Sequence, residues 1–209
     1  NREEKGKRKM IAILDYDAGN VRSVEKAVVQ LGYDAIVTRE PKEIAKADHV
    51  ILPGVGAFRD AMEHLNKYQL VAVIRELVEK EIPFLGICLG LQVLFQSSEE
   101  APGVKGLSLL DGHVFRFPSD SGQKIPHMGW NSLSLNGGRL FQNIPEESYV
   151  YFVHSYYLKA DHPEIVKARC DYGLTFDASI EKGNLFACQF HPEKSGETGL
   201  MILKNFLEV

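Results

Sequence analysis

Through the first hundred residues, short apolar runs alternate with longer stretches whose apolar positions recur at helical spacing. Met10–Tyr16 predicts a strand that ends in the polar turn Asp15-Tyr16-Asp17-Ala18-Gly19-Asn20. Val21, Val24, Ala27, Val28 and Leu31 then follow the helical period, with Asn20 placed to cap that helix and Gly32 to close it. Ala35–Thr38 and His49–Leu52 predict the next two strands, with a short helix rich in acids and bases between them. Pro53-Gly54-Val55-Gly56 breaks the chain, helical segments run to about Lys80, and Ile82–Ile87 predicts a fourth strand. From about Leu107 the texture changes to short β-like runs at Gly112–Phe117, Ser148–Val153, Val166–Arg169 and Leu185–Gln189, before a closing helix at Gly196–Phe206.

Strands alternating with helices imply an α/β fold, with parallel strands and helices on both faces of a mostly parallel sheet, plus a smaller β region from the later runs. Ligands of such sheets sit at the carboxyl ends of strands. The glycine turn at 53–56 and Cys88 both lie at such ends, so they can share one crevice. There is no internal repeat, linker or second-domain boundary. One domain is expected over 10–209, with residues 1–9 an N-terminal extension and Met10 the expected start.

Cys88 carries the sharpest chemical signal. Gly86-Ile87-Cys88-Leu89-Gly90 follows an apolar run and precedes Leu91-Gln92-Val93-Leu94-Phe95, which reads as a short helix. Strand, cramped turn and helix make a nucleophile elbow with cysteine in place of serine. A side chain at either glycine would crowd the turn. A helix N-terminus beneath the sulfur favours thiolate over thiol, whose free pKa is about 8.5. A nucleophilic thiolate needs a base and a group that orients the base. His191-Pro192-Glu193 follows a β run; Pro192 biases His191 toward extended backbone, where residues two apart share a face. Glu193 could then fix the His191 tautomer. The Leu89 N–H and an N–H from Gly54-Val55-Gly56 are candidate oxyanion donors, each typically worth about 10²–10³ in rate.

Other segments leave alternatives open. Pro126-His127-Met128-Gly129-Trp130-Asn131 holds the only tryptophan and reads equally as core or contact surface. The run Tyr149–Tyr157 reads as a buried strand whose polar end lines a cleft, and His154 there competes as a base, though no acid follows at a matching distance. His49, His64, His113 and His162 are expected to be surface or internally satisfied histidines. Cys170 and Cys188 read as structural.

Composition narrows the field. The chain has 209 residues, 44% hydrophobic and 25% charged, with a net charge of -4, so nothing favours nucleic acid or an anionic membrane surface. No apolar run approaches the roughly 20 residues of a membrane-spanning helix. Three cysteines without paired spacing suit a reducing, cytoplasmic setting better than a disulfide framework. No dinucleotide fingerprint, phosphate-binding lysine loop or metal-ligand cluster occurs, and no cofactor is expected.

Taken together, the segments resemble the class I (triad) glutamine amidotransferases, whose nucleophile motif stands here as Gly86-Ile87-Cys88-Leu89-Gly90-Leu91-Gln92 and whose His-x-Glu stands as His191-Pro192-Glu193. Within that family the chain is similar to the glutaminase subunits of imidazole glycerol phosphate synthases. The likeness rests on the 15–20 turn, Pro53-Gly54-Val55-Gly56-Ala57-Phe58, Pro126–Asn131, Tyr151-Phe152-Val153-His154-Ser155-Tyr156 and His191-Pro192-Glu193-Lys194-Ser195. It runs in order from Met10 to the C-terminus, with no departure at the triad positions.

The resemblance implies a flavodoxin-like fold and a glutaminase of histidine biosynthesis. Cys88, His191 and Glu193 would be catalytic, and Val55 and Leu89 would form the oxyanion hole. Gly54, Gly56, Gln92, Glu100, His154, Ser155 and Tyr156 would hold glutamine. It also implies a heterodimer with a barrel cyclase/synthase subunit that receives the ammonia, with Asn20, Met128, Trp130 and Lys194 facing that partner. A further implication is a peptide between Gly54 and Val55 that rests turned away until partner and ligand stabilise the active form. An anthranilate- or aminodeoxychorismate-type subunit is the rival enzyme; the His127–Asn131 segment and Lys194 argue against it. A non-catalytic module would be expected to lack His191 or Glu193.

Overall fold

A computed structural model describes residues 8–209. In chain order the strands are β1 (Met10–Leu14), β2 (Asp34–Thr38), β3 (His49–Leu52), β4 (Phe84–Ile87), β5 (Ser97–Ser98), β6 (Gly112–Arg116) and β7 (His127–Ser132), then β8 (Ser134–Leu135), β9 (Tyr149–His154), β10 (Tyr156–Ala160), β11 (Val166–Asp171), β12 (Thr175–Lys182) and β13 (Leu185–Cys188). The helices are α1 (Val21–Gln30), α2 (Pro41–Ile44), α3 (Phe58–Lys67), α4 (Leu70–Glu79), α5 (Leu89–Gln92) and α6 (Gly196–Leu207).

The main sheet runs β2-β1-β3-β4-β13-β12-β10-β6-β5. Its first five strands are mutually parallel, in the doubly wound order expected from the alternation of strand and helix. The near-continuous apolar sequences of β1, β3, β4 and β13 follow from burial on both sides, while β2, at the sheet edge, is only partly buried. Residues two apart share a face. Ile11 and Ile13 therefore join Val24, Val28, Ile202 and Phe206 of α1 and α6, while Ala12 and Leu14 join Phe58, Leu65, Leu70 and Ile74 of α3 and α4.

The smaller β region is a two-stranded antiparallel sheet, and most of the other later β runs join the main sheet. β12, β10 and β6 extend the main sheet as antiparallel strands, and β11 pairs with β12 and β8. Only β7 and β9 make a separate antiparallel ribbon. Of the expected extension, residues 1–7 lie outside the described residues. Arg8 forms an ion pair with Asp34 at 3.4 Å, and Lys9 donates to the Leu207 carbonyl at 3.0 Å. No helix among the described residues is long and apolar enough to cross a membrane.

His49 departs from expectation. It is buried at the start of β3, edge-on to Phe206, and neither ring nitrogen finds a hydrogen-bond partner among the described residues. Burial, helped by the Lys9 charge, lowers its pKa to about 4. In the unfolded chain it takes up a proton near pH 6.5, in the folded chain only near 4, so stability is lost as pH falls through that interval. We therefore expect a His49→Leu variant to lose about 1–2 kcal/mol less than the wild-type chain between pH 7 and 4.5, read from urea midpoints. Equal losses in the two proteins would exonerate His49.

Candidate active site

Cys88 sits on the turn between β4 and α5 with φ 55° and ψ −109°, outside both helical and extended backbone. Its N–H donates to the Cys188 carbonyl at 2.8 Å, which carries the β4–β13 pairing one residue past the strand end. The flanking glycines are required by close approach. A Cβ on Gly90 would lie 1.9 Å from the Leu52 carbonyl oxygen, and one on Gly86 2.6 Å from the Gly90 oxygen. The helix that follows is a single turn, Leu89–Gln92, so its dipole at the sulfur is weaker than a long helix would give.

His191 and Glu193 complete a buried constellation with Cys88. The His191 Nδ1–H donates to Glu193 Oε1 at 2.7 Å, and both side chains are fully buried. His191 Nε2 is left without a hydrogen bond among the described residues. Burial alone would lower the imidazole pKa; the nearness of Cys88 and the bond to Glu193, with their charges, outweigh it and raise the pKa to about 10. His191 is extended, at φ −99° and ψ 98°, as Pro192 predicted. Glu193 reaches it differently from the expected shared strand face. Pro192–Lys194 is a 3₁₀ turn, and that turn folds the carboxylate back onto Nδ1.

Asn20 also departs from its expected place. It precedes α1 with φ 64° and makes no side-chain cap. Its Nδ2 donates to Glu193 Oε1 at 2.5 Å instead, which ties the residue to the His191–Glu193 pair. Met128 and Trp130 are 62% and 55% exposed on the β7–β9 ribbon, and Lys194 is exposed beside the triad.

Both candidate oxyanion donors are engaged. Val55 N–H donates to the Ala18 carbonyl at 2.8 Å, and Leu89 N–H to the Gly54 carbonyl at 3.2 Å. The Gly54–Val55 peptide thus presents its oxygen, not its N–H, to the elbow. The buried Tyr16 hydroxyl donates to the Pro53 carbonyl at 2.5 Å, and a Cβ on Gly54 would lie 2.2 Å from that hydroxyl. Glu100 Oε1 accepts from Phe58 N–H at 2.5 Å, which holds the far end of the loop.

A cavity of about 300 Å³ opens on the sulfur, lined by Val55, Gly56, Cys88, Leu89, Gln92, Glu100, Val153, His154, Ser155 and Tyr156. Every residue expected to hold a substrate lines it except Gly54, which borders it through Leu89. His154 is not a rival base. Its Nδ1–H donates to the Tyr156 carbonyl at 2.8 Å, its Nε2 is paired with His127 at 2.9 Å, and burial lowers its pKa to about 3. Gln189, fully buried with its Nε2 3.6 Å from Cys88 Sγ, was not singled out from the sequence. Its position two residues before His191, at the end of a strand, is the signal that could have found it.

Comparison with known proteins agrees with this geometry. The family described as "Glutamine amidotransferase class-I" matches residues 12–209. The chain is 54% identical over 200 residues to the imidazole glycerol phosphate synthase subunit HisH of Moorella thermoacetica, covering 95% of this chain and 94% of that one. It is 51% identical to the subunit of the same name from Thermosynechococcus vestitus, covering 94% and 95%. The Methanothermobacter thermautotrophicus subunit is 48% identical, covering 96% and 98%. Among solved structures, PurLQS from Thermotoga maritima superposes with a TM-score of 0.76 at 20% identity, covering 97% of this chain and 99% of that one. A crystal structure of a glutamine amidotransferase gives 0.75 at 20% identity, covering 95% and 97%. With the elbow, the buried His–Glu pair and the cavity in one crevice, the chain belongs to the class I glutamine amidotransferases and, within them, to the HisH family of imidazole glycerol phosphate synthase subunits.

Proposed function

We infer that this chain hydrolyses glutamine to glutamate and ammonia and delivers the ammonia to a barrel cyclase/synthase subunit that makes imidazole glycerol phosphate and an aminoimidazole carboxamide ribotide. The observation that carries the reading is the strained Cys88 elbow, which lines a cavity of about 300 Å³ that suits one amino acid and is backed by the fully buried His191–Glu193 pair.

Cys88 Sγ attacks the side-chain amide carbon of glutamine. His191, held protonated by its neighbours, passes that proton to the departing amine, and ammonia leaves. Water then attacks the glutamyl thioester, with neutral His191 taking its proton through Nε2, and glutamate is released. Glu193 keeps Nδ1–H occupied so that Nε2 faces the chemistry, and Asn20 holds Glu193. Leu89 N–H and Val55 N–H stabilise the tetrahedral oxyanion once the Gly54–Val55 peptide turns over. Gln92, Glu100 and the 154–156 segment hold the substrate. Exposed Met128 and Trp130, with Lys194, form part of the face that meets the partner.

The test is glutamate release from glutamine, measured for this chain alone and with the barrel subunit and its nucleotide substrate. Strong turnover is expected only in the complex, because both oxyanion donors are occupied in the lone chain. Absence of turnover in both settings would overturn the assignment.

A further inference from the structure

The amide groups behind Cys88 are oriented by one backbone carbonyl. A carbonyl only accepts. The Tyr156 oxygen takes the His154 Nδ1–H at 2.8 Å and a Gln92 Nε2–H at 3.2 Å. That fixes which way the Gln92 amide faces. Its second N–H points at Gln189 Oε1, 3.0 Å away. Gln189 is then left with its own Nε2 on the far side, 3.6 Å from Cys88 Sγ. Turning the Gln189 amide over would set NH₂ against NH₂ and oxygen against sulfur, so the arrangement has one orientation. On the outer side, His154 Nε2 accepts from His127 Nδ1–H, and His127 Nε2 accepts from Asn131 Nδ2 at 3.2 Å. Burial keeps both rings neutral, with pKa values lowered to about 3 and about 4, so this end of the chain keeps its direction at neutral pH.

The His191 ring approaches the sulfur from one side, and a second donor is scarce: the helix that follows is a single turn, Leu89 N–H is taken by Gly54, and the Val153 carbonyl 4.0 Å from Sγ cannot stabilise negative charge. We propose that Gln189 is a positioning residue of the active site: wedged between Gln92 and Cys88, it presents an amide N–H to the sulfur and favours the thiolate before glutamine arrives. The proposal rests on the reading of Cys88 as the nucleophile and adds a residue to that site.

Alkylation of Cys88 in the full chain by iodoacetamide across pH, followed by the mass of the Cys88 peptide, tests this without requiring turnover. Cys170 and Cys188 are buried and give separate peptides. The titratable groups facing the sulfur are Tyr16 after β1, Cys188 at the end of β13, His191 and Glu193 beyond it, and across the cavity His154 and Glu100. All are retained in two variants. Gln189→Met has similar length and no N–H; Gln189→Leu is shorter and also has neither N–H nor charge.

Both variants are expected to move the alkylation midpoint up by about one pH unit, and glutaminase kcat at neutral pH to fall about tenfold in the complex. Midpoints unchanged from wild type, even with a lowered melting temperature, would reduce Gln189 to packing and overturn the proposal. Should Gln189→Met fail to fold, Gln189→Leu decides alone, since it removes the N–H without adding a charge. A wild-type chain whose Cys88 resists alkylation at every pH would instead overturn the nucleophile reading, and the proposal with it.

Discussion

Glutamate release by the complex is expected to vanish in Cys88→Ala and to fall by about 10²–10⁴-fold in Glu193→Gln. The first loss removes the atom that forms the thioester. The second leaves every heavy atom in place but alters two properties of His191. A glutamine can turn its NH₂ toward Nδ1, which favours the wrong tautomer. It also removes one of the charges that raise the imidazole pKa to about 10. The sign follows from the role. In the proposed mechanism protonated His191 gives its proton to the departing amine, so turnover declines as pH rises through the His191 pKa. With the Glu193 charge gone that pKa drops, and the alkaline limb of the kcat/KM profile moves to lower pH. A Glu193→Gln enzyme that is slow but keeps the wild-type alkaline limb would show that the carboxylate orients the ring without tuning it. Wild-type rates would remove Glu193 from the mechanism. Because the triad acts as a unit, Cys88→Ala combined with Glu193→Gln is expected to be no worse than Cys88→Ala alone.

What could be read from the sequence divides along physical lines. The four strands β1–β4 and the helices beside them were legible because most of their residues are apolar and the inner three strands are covered on both faces, whereas β13, the fifth parallel strand, reads from its sequence as one of the later β runs. The elbow was legible because only glycine fits at positions 86 and 90, where backbone oxygens lie within 2.6 Å of a would-be Cβ. The residues that support the site were harder to see, since their partners are distant in sequence. Asn20 looks like a helix cap from its neighbours, yet its amide is claimed by Glu193, 173 positions away. Gln189 lies within an apolar-looking strand end and acquires meaning only from Cys88 and Gln92, about a hundred positions upstream. His49 reads as the polar start of a strand, but Phe206 of the C-terminal helix closes over it. The later β runs were placed correctly along the chain, while their membership of the main sheet depends on β12 pairing with β13, a register that local pattern does not encode.

The second large effect concerns the peptide between Gly54 and Val55. Val55 has a negative φ, and its N–H is spent on Ala18 while the Gly54 oxygen covers Leu89 N–H. Turning that peptide over frees both N–H groups for the oxyanion. It also drives φ of Val55 into the positive region, where a β-branched side chain is strained by about 1–3 kcal/mol. The loop cannot relax by sliding, because Tyr16 holds the Pro53 carbonyl and Glu100 holds the Phe58 N–H on either side of it. On the proposed function, strain at this one residue separates resting from active states, and a partner that binds the active form better supplies the difference. Val55→Gly removes the strain and keeps both N–H groups. Its glutaminase activity without the partner is expected to rise by about 5–150-fold, while its rate in the complex changes little, so the activation ratio shrinks by the same factor. Val55→Ala, which keeps a Cβ but loses the branch, is expected to fall between the two. Rates measured for the lone chains settle the matter: a Val55→Gly protein no more active alone than wild type would mean that the barrier to turning lies in the two hydrogen bonds to Ala18 and Leu89 rather than in the valine backbone.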